Sequence, residues 1–268
     1  MRTAIFVSKN LIGDALYISP AWRVWWDRNR DRFDRVDLFT LNDHVKTLYK
    51  GMGVPCNVIT ELDPKNMLYD FMHEFNVNDA FFLSDRDKCH VAESYAKLLN
   101  VELKKETDLS HLRPTYWPPE IELDPMEKGL ILVSMFSASC TSRQGNKPNK
   151  MLPWAKWKPI MRWLADNFPG AKVRLLGAPT DEVPEFEFAL WKTIVPDLEY
   201  MRGVPLDRLA WIMRESLFTI TVDNGMSHLA ASQQAREFVF YPACLGTHYI
   251  LPVGNQARMA FLQMDPNE

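Results

Sequence analysis

Residues 218–232 read FTITVDNGMSHLAAS, and the rest of the chain is best understood outward from them. Phe218, Ile220 and Val222 alternate as the apolar positions of a strand, which breaks off at Asp223-Asn224-Gly225. A run of small residues at helical spacing begins at once. An acid, an amide, a glycine and a histidine thus crowd one strand-to-helix corner. In open α/β sheets the carboxyl end of a strand, beside a helix N-terminus, is where phosphate-bearing ligands sit. A plain turn is the simpler explanation, and the remaining sequence has to decide.

Moving outward, the same alternation recurs. LILVSM (130–135), KVRLLG (172–177), a short segment at 199–201 and EFVFYP (237–242) read as strands, separated by helical patterns over Trp154–Phe168, Glu182–Ile194 and Leu206–Glu215. The first half has strands at TAIFVS (3–8), RVDLFT (35–40), NVIT (57–60) and AFFL (80–83), with helices at Ala15–Arg30, 43–51 and 88–99. Strands alternating with helices imply parallel sheets. Residues 101–128 are rich in proline and charge without sustained periodicity, the signature of a linker. The expected fold class is therefore α/β: two Rossmann-like doubly wound domains, 1–125 and 126–268, facing across a cleft.

Composition agrees with a globular protein. The chain has 268 residues, 47% hydrophobic and 24% charged, enough for two domains with sizeable cores. A formal net charge of −3 argues against holding nucleic acid by bulk electrostatics. Cys56, Cys89, Cys140 and Cys244 show no C-x-x-C spacing, so neither a zinc site nor a disulfide framework is suggested. The first apolar run is cut short by Lys9, and no segment approaches the ~20 apolar residues of a membrane span. A cytoplasmic protein without a transmembrane segment is expected, with room for contact at a membrane surface.

Three corners carry chemistry. In SKNLIGDALYISPA, Gly13 permits a tight backbone and Asp14 stands at or near a helix N-cap. Aspartate there is either a cap or a carboxylate at the cleft mouth able to act as general base. The loop from Phe136 to Trp157 carries Ser137, Ser139, Thr141 and Ser142 with Arg143, Lys147 and Lys150. Hydroxyls and fixed cations suit a diphosphate, although a solvated loop has the same composition. At the third corner the backbone N–H groups after Gly225 would face phosphate oxygens, with His228 in the first helical turn as a ligand contact or a packed side chain.

In this order the corners resemble glycosyltransferase family 9, the lipopolysaccharide heptosyltransferase family. IGDALYISPAWRVWW is similar to that family's G-D-x-L-x-x-x-P-A motif at Gly13, Asp14, Leu16, Pro20 and Ala21. KMLPWAKW resembles its K-x-W-P-x-x-x-W segment through Lys150, Pro153 and Trp157, with Leu152 in place of a tryptophan. RLLGAPTDE looks like its strand followed by G-x-P-x-E/D. VDNGMSHLAAS resembles its D-S/T-G-x-x-H-L-A-A donor motif, with Asn224 where a hydroxyl residue is usual.

The resemblance implies a GT-B fold and an inverting, metal-independent transfer of a sugar, such as a heptose, from a nucleotide-sugar donor to an acceptor hydroxyl. The first domain would face the acceptor and the second the donor. Asp14 would be the base, while Ser139, Thr141, Lys150, Asp223, Asn224, Gly225 and His228 would hold the donor. No cofactor is implied beyond the nucleotide-sugar co-substrate. The acceptor would be a glycan, a lipid-linked glycan or another hydroxyl compound, in a setting such as lipopolysaccharide biosynthesis at the inner membrane. The chain is shorter than typical members in its first domain and after Asn255.

Alternatives remain open at this level. One is a glycosyltransferase acting on nucleic acid or another non-lipid acceptor, which the aromatics around the first helix and the basic residues between Arg143 and Arg162 permit, although the net charge does not favour nucleic acid. Another is a non-catalytic nucleotide-sugar-binding protein. The acids of DRD (85–87) suggest a divalent ion, yet they precede a helical pattern, where acids favour the N-terminus anyway. Most of the tryptophans, including Trp22, Trp25, Trp26, Trp154, Trp157 and Trp163, are expected in packing.

Overall fold

The computed structural model describes residues 2–62, 69–106, 110–137, 151–242 and 259–264. Before the proline-rich stretch run β1 (Thr3–Ser8), α1 (Ile12–Asn29), β2 (Arg35–Thr40), α2 (Asp43–Lys50), β3 (Asn57–Ile59), β4 (Phe71–Phe75), α3 (Val77–Asp87) and α4 (Val91–Leu98). After it come β5 (Ile131–Ser134), α5 (Trp154–Asn167), β6 (Val173–Gly177), α6 (Glu185–Ile194), β7 (Glu199–Arg202), α7 (Leu206–Arg214), β8 (Phe218–Val222), α8 (Gly225–Ser232), β9 (Glu237–Pro242) and β10 (Met259–Met264). The strands form two sheets, ordered β3-β2-β1-β4 and β10-β9-β8-β5-β6-β7, and every pairing in them is parallel. The chain is α/β, as its alternation implied.

Strand order fixes where ligands can bind. In the first sheet the chain winds outward from β1 through β2 to β3, then returns to place β4 on the other side of β1. In the second it winds from β5 to β7, then returns to place β8 beside β5. The carboxyl ends of β1 and β4, and of β5 and β8, are therefore topological switch points, where crossing helices diverge and leave a crevice. The Gly13–Asp14 corner lies at the first and the Asp223–Gly225 corner at the second.

Two differences from the sequence reading concern the first sheet. AFFL (80–83) lies inside α3 rather than in a strand, because Asn76 caps a helix there, accepting from Asn78 N at 3.0 Å. Phe82 is then exposed on that helix, and a short apolar run carries no period by which to tell helix from strand. The strand is instead β4, where Phe71, His73 and Phe75 share one face and all pack against Phe6. In the second sheet, β10 adds an edge strand beside β9 that the sequence pattern did not suggest.

The proline-rich stretch is a packed strap. Val101, Leu103, Leu112, Tyr116 and Leu123 are buried. Tyr116 Oη donates to Asp207, Gln233 Nε2 donates to the Tyr116 carbonyl at 2.9 Å, and Trp211 Nε1 donates to the Pro119 carbonyl at 2.8 Å. Arg208 makes a two-pronged ion pair with Glu127 at 2.7 and 2.5 Å. One buried cluster runs without a break from Phe6, Leu16 and Tyr49 on the first side to Leu209, Ile212, Leu229 and Tyr241 on the second. Another lies on the far face of the second sheet, around Ile131, Val133, Trp157 and Trp191. Trp22, Trp25 and Trp157 are core residues, as expected, whereas Trp163 is exposed.

The Ser19-Pro20 pair in α1 shows how local chemistry serves this packing. Proline has no N–H to give to the carbonyl four residues back, that of Leu16. Ser19 Oγ donates to that carbonyl at 2.8 Å and itself accepts from Thr115 N at 2.8 Å. One hydroxyl thereby fills the gap in the helix and ties the strap to it.

Candidate active site

The donor-side corner is built on β8, whose five residues are all buried. Asn224 follows in extended conformation (φ −151°, ψ 178°) as the N-cap of α8. Its Oδ1 accepts from Met226 N at 2.9 Å and Ser227 N at 3.2 Å, while its Nδ2 donates to Ser134 Oγ at 2.9 Å and the Phe136 carbonyl at 2.7 Å. One side chain therefore caps the helix and joins β8 to β5 at the switch point. Serine, threonine and asparagine are all good caps, so asparagine can fill the place of the family's hydroxyl residue without loss of that role. Two N–H groups that the sequence offered to phosphate, those of Met226 and Ser227, are consequently satisfied within the chain. Ser137 Oγ donates to the Asp223 carbonyl at 3.3 Å, drawing the loop after β5 onto the same corner.

On the other side, α1 starts after Leu11, an N-cap with φ −86° and ψ 179° whose side chain makes no capping bond. Asp14 is the third residue of the helix, so the capping role open to it in the sequence is not the one it has. An acid in the first turn still interacts favourably with the helix dipole, by ~0.3–1 kcal/mol. Asp14 is half-buried, and its charge acts on the phenols of Tyr17, Tyr49 and Tyr95.

The two helix starts touch. A Cβ on Gly225 would lie 2.8 Å from Ile12 Cβ and 3.2 Å from the Gly13 nitrogen; a Cβ on Gly13 would lie 2.9 Å from His228 Cδ2 and 3.5 Å from Gly225 Cα. A side chain at Gly225 would press on the start of α1, and one at Gly13 on the His228 ring. Asp223 and His228 are each 3% exposed, and the His228 ring packs on Tyr17 with centroids 4.3 Å apart. His228 is thus a buried side chain packed at the junction of the two helices.

Four tyrosines that the sequence did not single out surround this junction: Tyr17, Tyr49, Tyr95 and Tyr241. Burial raises the pKa of each phenol. Negative charge adds to the shift, from Asp223 and Asp14 at Tyr17, from Asp14 at Tyr49 and Tyr95, and from Asp223 at Tyr241. All four stay neutral in the physiological range and act as hydrogen-bonding or packing groups. Tyr49 shares a 2.5 Å hydrogen bond with Ser8 Oγ. The spacing Gly13–Tyr17, one helical turn, was available in the sequence; the convergence of Tyr49, Tyr95 and Tyr241 depends on tertiary packing.

An open depression of about 480 Å³ lies beside Lys9, Leu41, Asn42 and Asp43, at the carboxyl ends of β1 and β2. Asn42 Nδ2 donates to the Asn10 carbonyl at 3.3 Å, connecting its rim to the loop that carries Gly13 and Asp14. At the ends of β5–β7, Phe136 stacks on Tyr200 with centroids 6.2 Å apart, and the Arg202 guanidinium sits 4.3 Å from the Tyr200 ring centre. The loop after β6 is closed by Asp181, which accepts from Ala178 N at 2.7 Å.

Ser139, Thr141 and Lys150 lie outside the described residues. The acids of DRD are engaged in ion pairs at the end of α3: Asp85 with Lys88 at 2.9 Å, and Asp87 with Arg86 at 2.7 Å and Lys97 at 2.8 Å. Hydrogen bonds from Arg86 and then Lys97 hold the Asp87 carboxyl well below the usual range. Among the described residues, no group of three or more His, Cys, Asp or Glu is placed to hold a metal ion. Nor does any described helix have the length and apolarity to cross a membrane.

No protein-family model matches the sequence, and no curated protein matches it. Solved structures do. A glycosyl transferase family 9 protein from Veillonella parvula superposes with a TM-score of 0.66 at 16% identity, over 98% of this chain and 86% of that one. The ADP-heptose lipopolysaccharide heptosyltransferase II of E. coli matches with a TM-score of 0.60 at 13% identity, over 98% and 90%. The E. coli heptosyltransferase WaaC with ADP gives 0.60 at 14%, over 99% and 94%. The resemblance read from the motifs thus extends to the backbone, and the chain has the GT-B fold of family 9 glycosyltransferase structures.

Proposed function

We propose that this protein is a family 9 glycosyltransferase that moves a sugar from a nucleotide-sugar donor to an acceptor hydroxyl with inversion and without a metal. The observation that carries the reading is the meeting of Gly13 and Gly225, which sets the Asp14-bearing start of α1 beside the Asp223–Gly225 corner at the β5/β8 switch point. Ser139, Thr141 and Lys150, with this corner, hold the donor diphosphate, where hydroxyls and a cation stabilise charge on the leaving group. Asp14 accepts the proton of the acceptor hydroxyl as its oxygen attacks the anomeric carbon and the bond to the diphosphate breaks. The depression beside Lys9 and Asn42 receives the acceptor. The protein acts in the cytoplasm, with a lipid-linked or other glycan acceptor presented at the inner membrane.

A ligand-stabilisation panel tests this. Because one similar structure holds ADP, ADP and ADP-sugars head the panel, with UDP and GDP counterparts beside them. A ligand at about 100 times its dissociation constant stabilises the fold by about 2.7 kcal/mol. A clear rise in melting temperature with one nucleotide class is expected. No shift with any nucleotide or nucleotide sugar at millimolar concentration overturns the donor assignment.

A further inference from the structure

The His228 imidazole contacts two residues one turn apart on α1. A Gly13 Cβ would lie 2.9 Å from its Cδ2, so the ring lies against the bare backbone. It also packs on the Tyr17 ring, 4.3 Å away between centroids and tilted by 57°. Tyr17 is itself backed by His90, at 5.8 Å and 70°, and His90 is fixed as the N-cap of α4 by accepting from Ala92 N at 3.2 Å. Both Tyr17 and His228 are 3% exposed, which leaves His228 little surface for a diphosphate. Asp14 sits on the same helical turn, between the two residues that hold the ring.

We propose that Tyr17 and His228 form a positioning pair: the ring contact sets the spacing and rotation of α1 against α8, and so the place of the Asp14 carboxylate relative to the donor corner. This rests on the reading of Asp14 as the base. It assigns His228 a role distinct from diphosphate binding, one that acts through Asp14. Displacement of a catalytic group by about 1 Å can cost about a hundredfold in rate, so a pair without substrate contact can still control turnover.

The experiment is a double-mutant cycle with Tyr17→Leu, His228→Leu and the combination, with Tyr17→Phe as the conservative variant. Donor turnover and ADP affinity are measured separately. Each leucine variant is expected to lower turnover by about ten- to a hundredfold while ADP affinity stays within about twofold, the pattern of a lost transition-state arrangement rather than lost binding. The double variant is expected to be no worse than the poorer single, and Tyr17→Phe to retain turnover. Loss of ADP affinity in His228→Leu, or multiplication of the two effects, overturns the pairing.

Amide exchange over Gly13–Leu16 supplies a reading that requires no donor. Faster exchange in Tyr17→Leu and His228→Leu, but not in Tyr17→Phe, is expected. Unchanged exchange overturns the proposal even in a protein that transfers no sugar, whereas absent nucleotide binding by the wild type contradicts only the proposed function.

Discussion

Gly13 and Gly225, 212 residues apart in sequence, meet where two helices from different sheets begin, and a side chain on either would strike the other helix. This contact brings two strand-to-helix corners together. Its consequence is that Gly225→Ala cannot be accommodated by rotating a flexible side chain. The new Cβ would meet Ile12 Cβ at 2.8 Å and the Gly13 nitrogen at 3.2 Å. A loss of about 1–3 kcal/mol is expected in urea unfolding, the range for overpacking. A variant as stable as wild type would mean that the helices separate freely.

Asn224 uses both ends of its amide, and substitutions can divide the two roles. Asn224→Asp keeps the acceptor that caps α8 and loses the donor to Ser134 and Phe136, whereas Asn224→Ala loses both. Alanine is expected to cost about 1–2 kcal/mol through the cap, with about 0.5–1.5 kcal/mol more for each lost tie. Aspartate should fall between alanine and wild type. Equal stability of all three would remove Asn224 from the corner's architecture.

Glu237 predicts an unusual pH dependence. It is buried at the start of β9, accepts from Thr221 Oγ1 at 2.9 Å, and burial raises its carboxyl pKa well above the usual range. The folded protein therefore keeps a proton that the unfolded chain releases above about pH 4.5. Its contribution to stability is fully present below that pH and is lost as pH rises towards the folded pKa. Glu237→Gln should gain stability relative to wild type between pH 4 and pH 7, by chemical denaturation. A difference independent of pH would show that the carboxyl is ionised in the fold.

Lys150 is the cation proposed above to hold the donor diphosphate. Lys150→Ala should weaken nucleotide-sugar binding by roughly 1.5–3 kcal/mol, the scale of hydrogen bonds to charged groups, with little change in melting temperature. Unchanged affinity by calorimetry would return its loop to an ordinary solvated role.

The two strand-to-helix corners were legible in the sequence because such corners carry their own chemistry. Val222-Asp223-Asn224-Gly225 announces the end of a strand and the start of a helix, and SKNLIGD does the same, so both switch points were located. Other features, besides the edge strand β10, were not legible. Phe81 and Phe82 are apolar whether they belong to a strand or to the partly exposed face of α3, while His73 interrupts the apolar face of β4. Asp14 as cap or as third helical residue differs by a shift of three positions, and α1 starts after Leu11, whose side chain gives no capping signal in the sequence. The contact of His228 with α1 and the gathering of Tyr17, Tyr49, Tyr95 and Tyr241 arise from packing α1 against α2, α4 and α8, and α8 against β9, which no local pattern encodes.

The most direct measurement is the transfer rate of Asp14→Asn at saturating donor. Because Asp14 is not the N-cap, its structural contribution is limited to the dipole and the surrounding hydrogen bonds. Asparagine keeps the shape, so stability should change by about 1 kcal/mol or less. As a general base, however, the carboxylate is irreplaceable by an amide. Turnover is expected to fall by about a hundredfold or more with donor affinity near wild type. A rate equal to wild type would contradict the assignment of the Gly13–Gly225 junction as a catalytic site.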